Sequence, residues 1–153
     1  ANRHTRVNIL QPGPGVGGHC IAVDPWFLVA GAPQAARLVR TAREVNDHKA
    51  VHTEGKIRAL LDAAPQGKVA LLGLAFKPDI DDFRESPALE IAEALAHTHG
   101  GRIVVVEPFT AELPKSFAGT GAELVTLDAG LRQAEIVVVL VDHTAFKHLT
   151  PQD

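Results

Sequence analysis

The sequence predicts an α/β fold in which a long central helix is followed by a Rossmann-like parallel-sheet domain. Three observations carry this. Apolar runs of strand length, KVALLGLAF at 68–76, RIVVVE at 102–107 and EIVVVLV at 135–141, alternate with segments of helical character. Strands covered on both faces of a parallel sheet read as such unbroken runs, and strand–helix–strand alternation lays helices over both faces. Before them, residues 34–64 contain no proline and one glycine, Gly55, with apolar side chains at helical spacing.

Taken in chain order, the segment up to about Gly31 is rich in Gly and Pro. Gly13, Gly15, Gly17 and Gly18 stand too close together for a helix or strand interior, so a shaped loop is expected. Pro25 stands where the first helical turns after this loop would fall, which argues against a helix there. The helix over 34–64 would span about 45 Å, with a break near Gly55, and could join two domains or two subunits. Pro65 and Gly67 end it, and 68–76 is the first strand. Ser86 before Pro87 carries the N-cap and first-turn proline signature, and Ala88, Leu89, Ile91, Ala92 and Leu95 give the following helix an apolar face up to Gly100. Strand 102–107, a weaker strand at 123–126, a short helix at 129–134 and strand 135–141 complete the pattern. The expected units are an active-site loop segment at 1–33, the central helix at 34–66 and the sheet domain at 67–153.

Composition narrows the function classes. A chain of 153 residues, 46% apolar and 22% charged, can bury a real core. Its net charge of −3 gives no basic footprint for nucleic acid and no polybasic membrane face, so a small ligand is expected. No apolar run approaches a bilayer span, and the single cysteine cannot form an internal disulfide, which together predict a cytoplasmic protein. The chain lacks methionine even at position 1, so a segment of a longer polypeptide is expected.

Two clusters could carry chemistry. PGPGVGGHCIAVDPWF, at 12–27, places His19, Cys20 and Asp24 within five residues of one another on glycine-permitted backbone. A thiol is a useful nucleophile where positive charge or a local dipole stabilises its thiolate, and a nearby carboxylate can orient water or take a proton. Spacing alone leaves two readings of Cys20 open, nucleophile or small buried apolar filler, and free cysteine is commonly the latter. One cysteine and scattered histidines give no metal-ligand spacing, so no metal is expected, and most of the eight histidines read as solvated. FKPDIDDFRESP, at 76–87, follows the first strand, where ligands of open parallel sheets bind, and puts Lys77 and Arg84 where an anionic group would lie. Asp79, Asp81, Asp82 and Glu85 could instead pair with those cations. The first strand lacks a following G-x-G-x-x-G, so the usual dinucleotide fingerprint is absent from this sheet.

Together the two clusters resemble the UDP-glucose/GDP-mannose dehydrogenase family, with its GxGGxC active-site loop, long central helix and G-x-x-F-K-x-x-x-x-D-x-R-x-S-P segment. Here these read GVGGHC, residues 34–64 and GLAFKPDIDDFRESP. NRHTRVNILQPGPG and GGHCIAVDPWF are most similar to the UDP-N-acetyl-D-mannosamine dehydrogenases of the family. UDP-glucose members more often carry GGSC and a lysine where this chain has Val23.

The resemblance implies oxidation of a sugar CH₂OH to a carboxylate with two NAD⁺. In this scheme the Cys20 thiolate adds to the intermediate aldehyde as a thiohemiacetal, oxidised to a thioester, and Asp24 helps water release the uronic acid. It also implies that His4, Arg6, Gly17, Phe76 and Lys77 contact the UDP-sugar, His4 and Arg6 across a subunit boundary of a homodimer or larger homo-oligomer, and that Arg84 reaches NAD. Family members carry a further N-terminal NAD-binding domain, so this chain alone is expected to be inactive. UDP-N-acetylglucosamine or UDP-glucose as substrate, and a noncatalytic UDP-binding or dimerisation module, are the alternatives.

Overall fold

The computed structural model describes residues 12–150, so the expectations placed on His4 and Arg6 lie outside the described residues. Four parallel strands, β1 (Val69–Leu72), β2 (Ile103–Val106), β3 (Glu123–Leu124) and β4 (Ile136–Val139), form one sheet in the order β3-β2-β1-β4. The register pairs Val69 with Ile103 on one side and with Ile136 on the other. The α/β class with a parallel sheet is therefore as the sequence predicts.

The helices are α1 (Asp24–Gly31), α2 (Arg37–Ala63), α3 (Pro87–His99) and α4 (Leu127–Gln133). The expectation of loop through Gly31 fails at α1. Pro25 lies in the first turn of that helix, where a missing N–H costs nothing because first-turn amides have no partner within the helix. Nor does Gly55 break α2, which runs unbroken for 27 residues, about 40 Å. Among the described residues no side chain would touch a Cβ at Gly55, so the glycine costs propensity alone. Each predicted strand is shorter than its apolar run.

The two sheet faces bury separate clusters. Val69, Leu71, Ile103 and Val105 pack under Ile57 and Leu61 of α2 and Ile91 and Leu95 of α3. Ala70, Leu72, Val104 and Val106 face Phe146, Leu127 and Leu149 on the other side. β1 and β2 are covered on both faces, as their composition predicts. β4 is not: among the described strands it lies at the sheet edge, with Val137 and Val139 41% and 51% exposed. Arg102 locks α2 to the sheet by donating to the carbonyls of Leu61, Ala64 and Gly67, two of them carbonyls at the C-terminus of α2 that lack helical partners.

Ser86 ties the first strand to the helix that follows. Its buried hydroxyl accepts from the Leu89 N–H as the N-cap of α3 and donates to the Leu74 carbonyl at 2.7 Å. Ser86→Ala leaves both groups unsatisfied and should cost about 2 kcal/mol. Urea unfolding would read this as a lower midpoint with an unchanged m-value.

Candidate active site

The chain runs β1 to β2 to β3 in one direction and then places β4 on the far side of β1, so the direction of strand order reverses between β1 and β4. Open α/β sheets take their ligands in the crevice outside the carboxyl ends at such a point. Here that crevice is a cleft of about 430 Å³ lined by Gly15, Phe76, Lys77, Val141 and Asp142 among others. Both sequence clusters border it.

The glycines of the loop are explained by what packs against them. A Cβ on Gly17 would lie 2.1 Å from the Glu85 carbonyl oxygen, and one on Gly18 2.8 Å from the Phe76 ring. Gly15 meets Pro87 in the same way. The Gly18 N–H donates to the Arg84 carbonyl at 3.2 Å. Thus GVGG lies directly on the Phe76 and Arg84–Pro87 segments, although about sixty positions separate them in sequence. From the other side, α2 holds the loop: the Asn46 amide accepts from the Val16 N–H at 2.8 Å and donates to its carbonyl at 3.2 Å. Arg43, almost wholly buried, reaches the same carbonyl and pairs with Asp47.

Cys20 follows this anchored loop and is free and exposed among the described residues. The Asp24 N–H donates to the Cys20 carbonyl at 2.8 Å, so the thiol and the exposed Asp24 carboxylate stand one helical turn apart at the start of α1. Arg84 lies within electrostatic range of Cys20. His19 meets Phe76 edge to face, with ring centroids 6.4 Å apart. Lys77 carries its ammonium over the same ring, 5.5 Å from the centroid, at the mouth of the cleft.

One of the pairings open in the sequence is formed. Asp82 accepts from Arg84 Nε at 2.9 Å and Nη2 at 2.5 Å and from its backbone N–H at 3.0 Å. Arg84 remains 63% exposed despite this grip. Asp79 turns instead to Thr144, and no ion pair joins Lys77 to a carboxylate among the described residues. The Arg84 bonds hold the Asp82 carboxyl down to about 2, from 3.8. A depressed carboxyl contributes stability that is complete above the unfolded value near 3.8 and is lost as pH falls through about 2. The Asp82 carboxyl resonance should therefore titrate near pH 2; a midpoint near 3.8 would show that the pair does not form in solution.

This sheet does not fit a dinucleotide in the usual manner. The turn after β1 lacks the glycine fingerprint, and the acid closing β2, Glu107, is buried with both oxygens accepting backbone N–H bonds instead of facing a ribose. Sequence reasoning passed over Glu107 and also His143, which is fully buried against the general expectation for the histidines. An acid ending an all-apolar strand was the available signal for Glu107. For His143, within VDHTAF, there was none beyond its place just after a strand. Among the described residues no group of three or more His, Cys, Asp or Glu could hold a metal ion, and no helix is long and apolar enough to cross a membrane.

Residues 1–48 match the model of the UDP-glucose/GDP-mannose dehydrogenase family, central domain, and residues 70–153 that of the same family's UDP binding domain. The chain is 57% identical to the UDP-N-acetyl-D-mannosamine dehydrogenase of Escherichia coli K12 over 96% of its length, and 52% identical to an NDP-N-acetyl-D-galactosaminuronic acid dehydrogenase of Ralstonia nicotianae over 97%. These alignments cover 37% and 35% of the two relatives, so the chain spans a little over a third of their length. Among solved structures, the UDP-N-acetyl-mannosamine dehydrogenase Cap5O of Staphylococcus aureus superposes with TM-score 0.74 at 36% identity, over 99% of this chain and 34% of that one. A UDP-D-ManNAc dehydrogenase of Pyrococcus horikoshii gives 0.75 at 31%, over 98% and 34%.

Proposed function

This chain belongs to the UDP-glucose/GDP-mannose dehydrogenase family, and on that premise we propose that it is part of an NAD-dependent UDP-sugar 6-dehydrogenase that oxidises UDP-N-acetyl-D-mannosamine to the uronic acid. The observation that supports this most is the seating of the glycine loop on Phe76 and Arg84–Pro87, which brings an exposed Cys20 beside the switch-point cleft. In this proposal the cleft takes the uridine diphosphate, with Lys77 on the phosphates, Phe76 on the nucleoside side and Gly17 close to the sugar. His4 and Arg6 complete the sugar site from a neighbouring subunit.

The chemistry follows from the residues. Cys20 adds its sulfur to the C6 aldehyde, and the aldehyde oxygen takes a proton. At the thioester stage Asp24 orients the water that attacks the acyl carbon and accepts its proton, and the Cys20 sulfur departs. NAD⁺ is the acceptor of the hydrides in this scheme. It is held elsewhere in the parent protein, and exposed Arg84 is the residue here that offers it a cation.

The units at 1–33, 34–66 and 67–153 and a cytoplasmic location belong to the same proposal. So does a homo-oligomer built on the exposed apolar residues Leu38 and Val45, seven positions apart on α2, and Phe27 and Leu28 of α1. The full-length protein should produce NADH with UDP-N-acetyl-D-mannosamine. The 153-residue chain should bind UDP calorimetrically, lose about tenfold in affinity with Lys77→Ala, and turn over nothing. Preference for UDP-N-acetylglucosamine or UDP-glucose would overturn the substrate, and full UDP affinity in the Lys77→Ala chain would overturn the assignment of the cleft.

A further inference from the structure

A buried acid and imidazole stand behind the cleft without a role in the proposed chemistry. Glu107 ends β2 with its side chain fully buried. Its Oε2 accepts from the Leu74 N–H at 2.7 Å and its Oε1 from the Phe109 N–H at 3.1 Å. The last backbone rung there runs from the Gly73 N–H to the Val106 carbonyl, so the carboxylate adds one more tie between the β1 and β2 ends. His143, just beyond β4, is closed in by the rings of Phe109 and Phe146, with centroids 5.1 and 5.4 Å away.

The imidazole reaches across to the FKPD turn. His143 Nδ1 accepts from the Asp79 N–H at 2.9 Å, which in a neutral ring leaves the proton on Nε2. That nitrogen lies 3.3 Å from Glu107 Oε2, short of hydrogen-bond alignment, and Nδ1 stands 3.8 Å from Asp79 Oδ1 on the other side of the ring. Asp79 itself has φ +60°, a left-handed conformation that a residue with a side chain holds only where its surroundings enforce it. Its carboxylate accepts from the Thr144 N–H at 2.8 Å and from the Thr144 hydroxyl at 2.6 Å. Asp79 is thus gripped by main chain and side chain from the end of β4, two residues after Lys77. Gly73 allows the approach, since a Cβ there would meet Val141 at 2.5 Å and His143 at 3.1 Å.

We infer that His143 is a positioning residue that fixes the Asp79 peptide, and with it the Phe76–Pro78 turn, so that Lys77 stands at the mouth of the cleft, while Glu107 ties Leu74 at the start of the same segment. The inference rests on the reading of that cleft as the uridine diphosphate site. An acid at this strand end, which a dinucleotide fold places on a ribose, here ties the backbone at the ends of β1 and β2.

The test compares His143→Leu with His143→Asn, whose side-chain oxygen can replace Nδ1 as acceptor, in the full-length protein and in this chain. A lost buried hydrogen bond converts to about tenfold in UDP affinity. Calorimetry should give that loss for His143→Leu and recovery to within about threefold for His143→Asn, with faster hydrogen exchange at the Asp79 amide in the leucine variant only. Equal affinity in all three proteins overturns the inference, as does an equal loss in both variants, which would mark a merely structural site. If His143→Leu does not fold, the wild-type Asp79 amide decides: exchange at least about tenfold slower than the unprotected peptide rate supports the clamp, and exchange at the unprotected rate overturns it. Failure of the wild-type chain to bind UDP sinks the reading of the cleft instead. The Asp79 amide then decides the clamp by itself, since unchanged exchange in His143→Leu overturns it.

Discussion

Cys20→Ala in the full-length protein should lower uronate formation by on the order of 10³-fold or more, while UDP affinity stays within about threefold of wild type. The split follows from the structure. Cys20 is exposed and contributes nothing to either buried cluster, so its truncation should change folding stability by less than about 0.5 kcal/mol. The cleft residues Phe76, Lys77 and Val141 are untouched. What disappears is the sulfur that carries the sugar carbon as an acyl group. Cys20→Ser keeps the volume but offers a far weaker nucleophile, so it should stall either by releasing the aldehyde, trapped with a carbonyl reagent, or as a slowly turned-over acyl ester, visible as a mass increase under denaturing conditions. Product formation within tenfold of wild type in Cys20→Ala would remove Cys20 from the chemistry, whatever the family likeness.

The sheet and its two interior strands were legible because burial on both faces leaves an all-apolar signature in local sequence. α3 was legible through Ser86 and Pro87, whose roles are local. α1 was not. Pro25 carries one sign in a helix interior and the other in a first turn, and only the position of the turn, set by the docked loop before it, decides between them. β4 shares the composition of β1 and β2, yet among the described strands it stands at the edge with Val137 and Val139 exposed; strand order is a long-range property that the run EIVVVLV does not contain. The site divides in the same way. Cys20, Lys77 and Arg84 stand out as chemistry-bearing residues in unusual local company. That Gly17 and Gly18 are glycines because Glu85 and Phe76 press on them is a fact of tertiary contact, and local reading supplied only tight turns. His143 is hidden for the same reason, since its burial comes from Phe109 and Phe146 on either side.

That contact makes Gly17→Ala the most damaging small substitution in the loop. The added methyl would stand 2.1 Å from the Glu85 oxygen, 3.0 Å from its carbonyl carbon and 2.8 Å from Pro87 Cδ, all closer than atoms pack. Neither side can withdraw cheaply. Glu85 sits at φ +50° between Arg84, whose carbonyl takes the Gly18 N–H, and Ser86, whose hydroxyl is committed to Leu74 and Leu89. On the other flank, Val16 is held by Asn46 at both its N–H and its carbonyl. The loop must lift, and the loss should be about 3 kcal/mol, the upper range for overpacking at a site that cannot relax. For a chain of this size that is a fall of about 6–12 °C in Tm. Because Cys20 rides on the same loop three residues later, turnover in the full-length protein should fall well beyond the stability loss, measured at a temperature where both proteins remain folded. Gly13→Ala is the matched control: among the described residues nothing lies within 4 Å of its added methyl, and it should unfold with wild type. A Gly17→Ala protein that melts with that control would mean that the glycine loop and the Arg84–Pro87 segment are not in contact in solution, and the convergence of the two motifs on one site would fall with it.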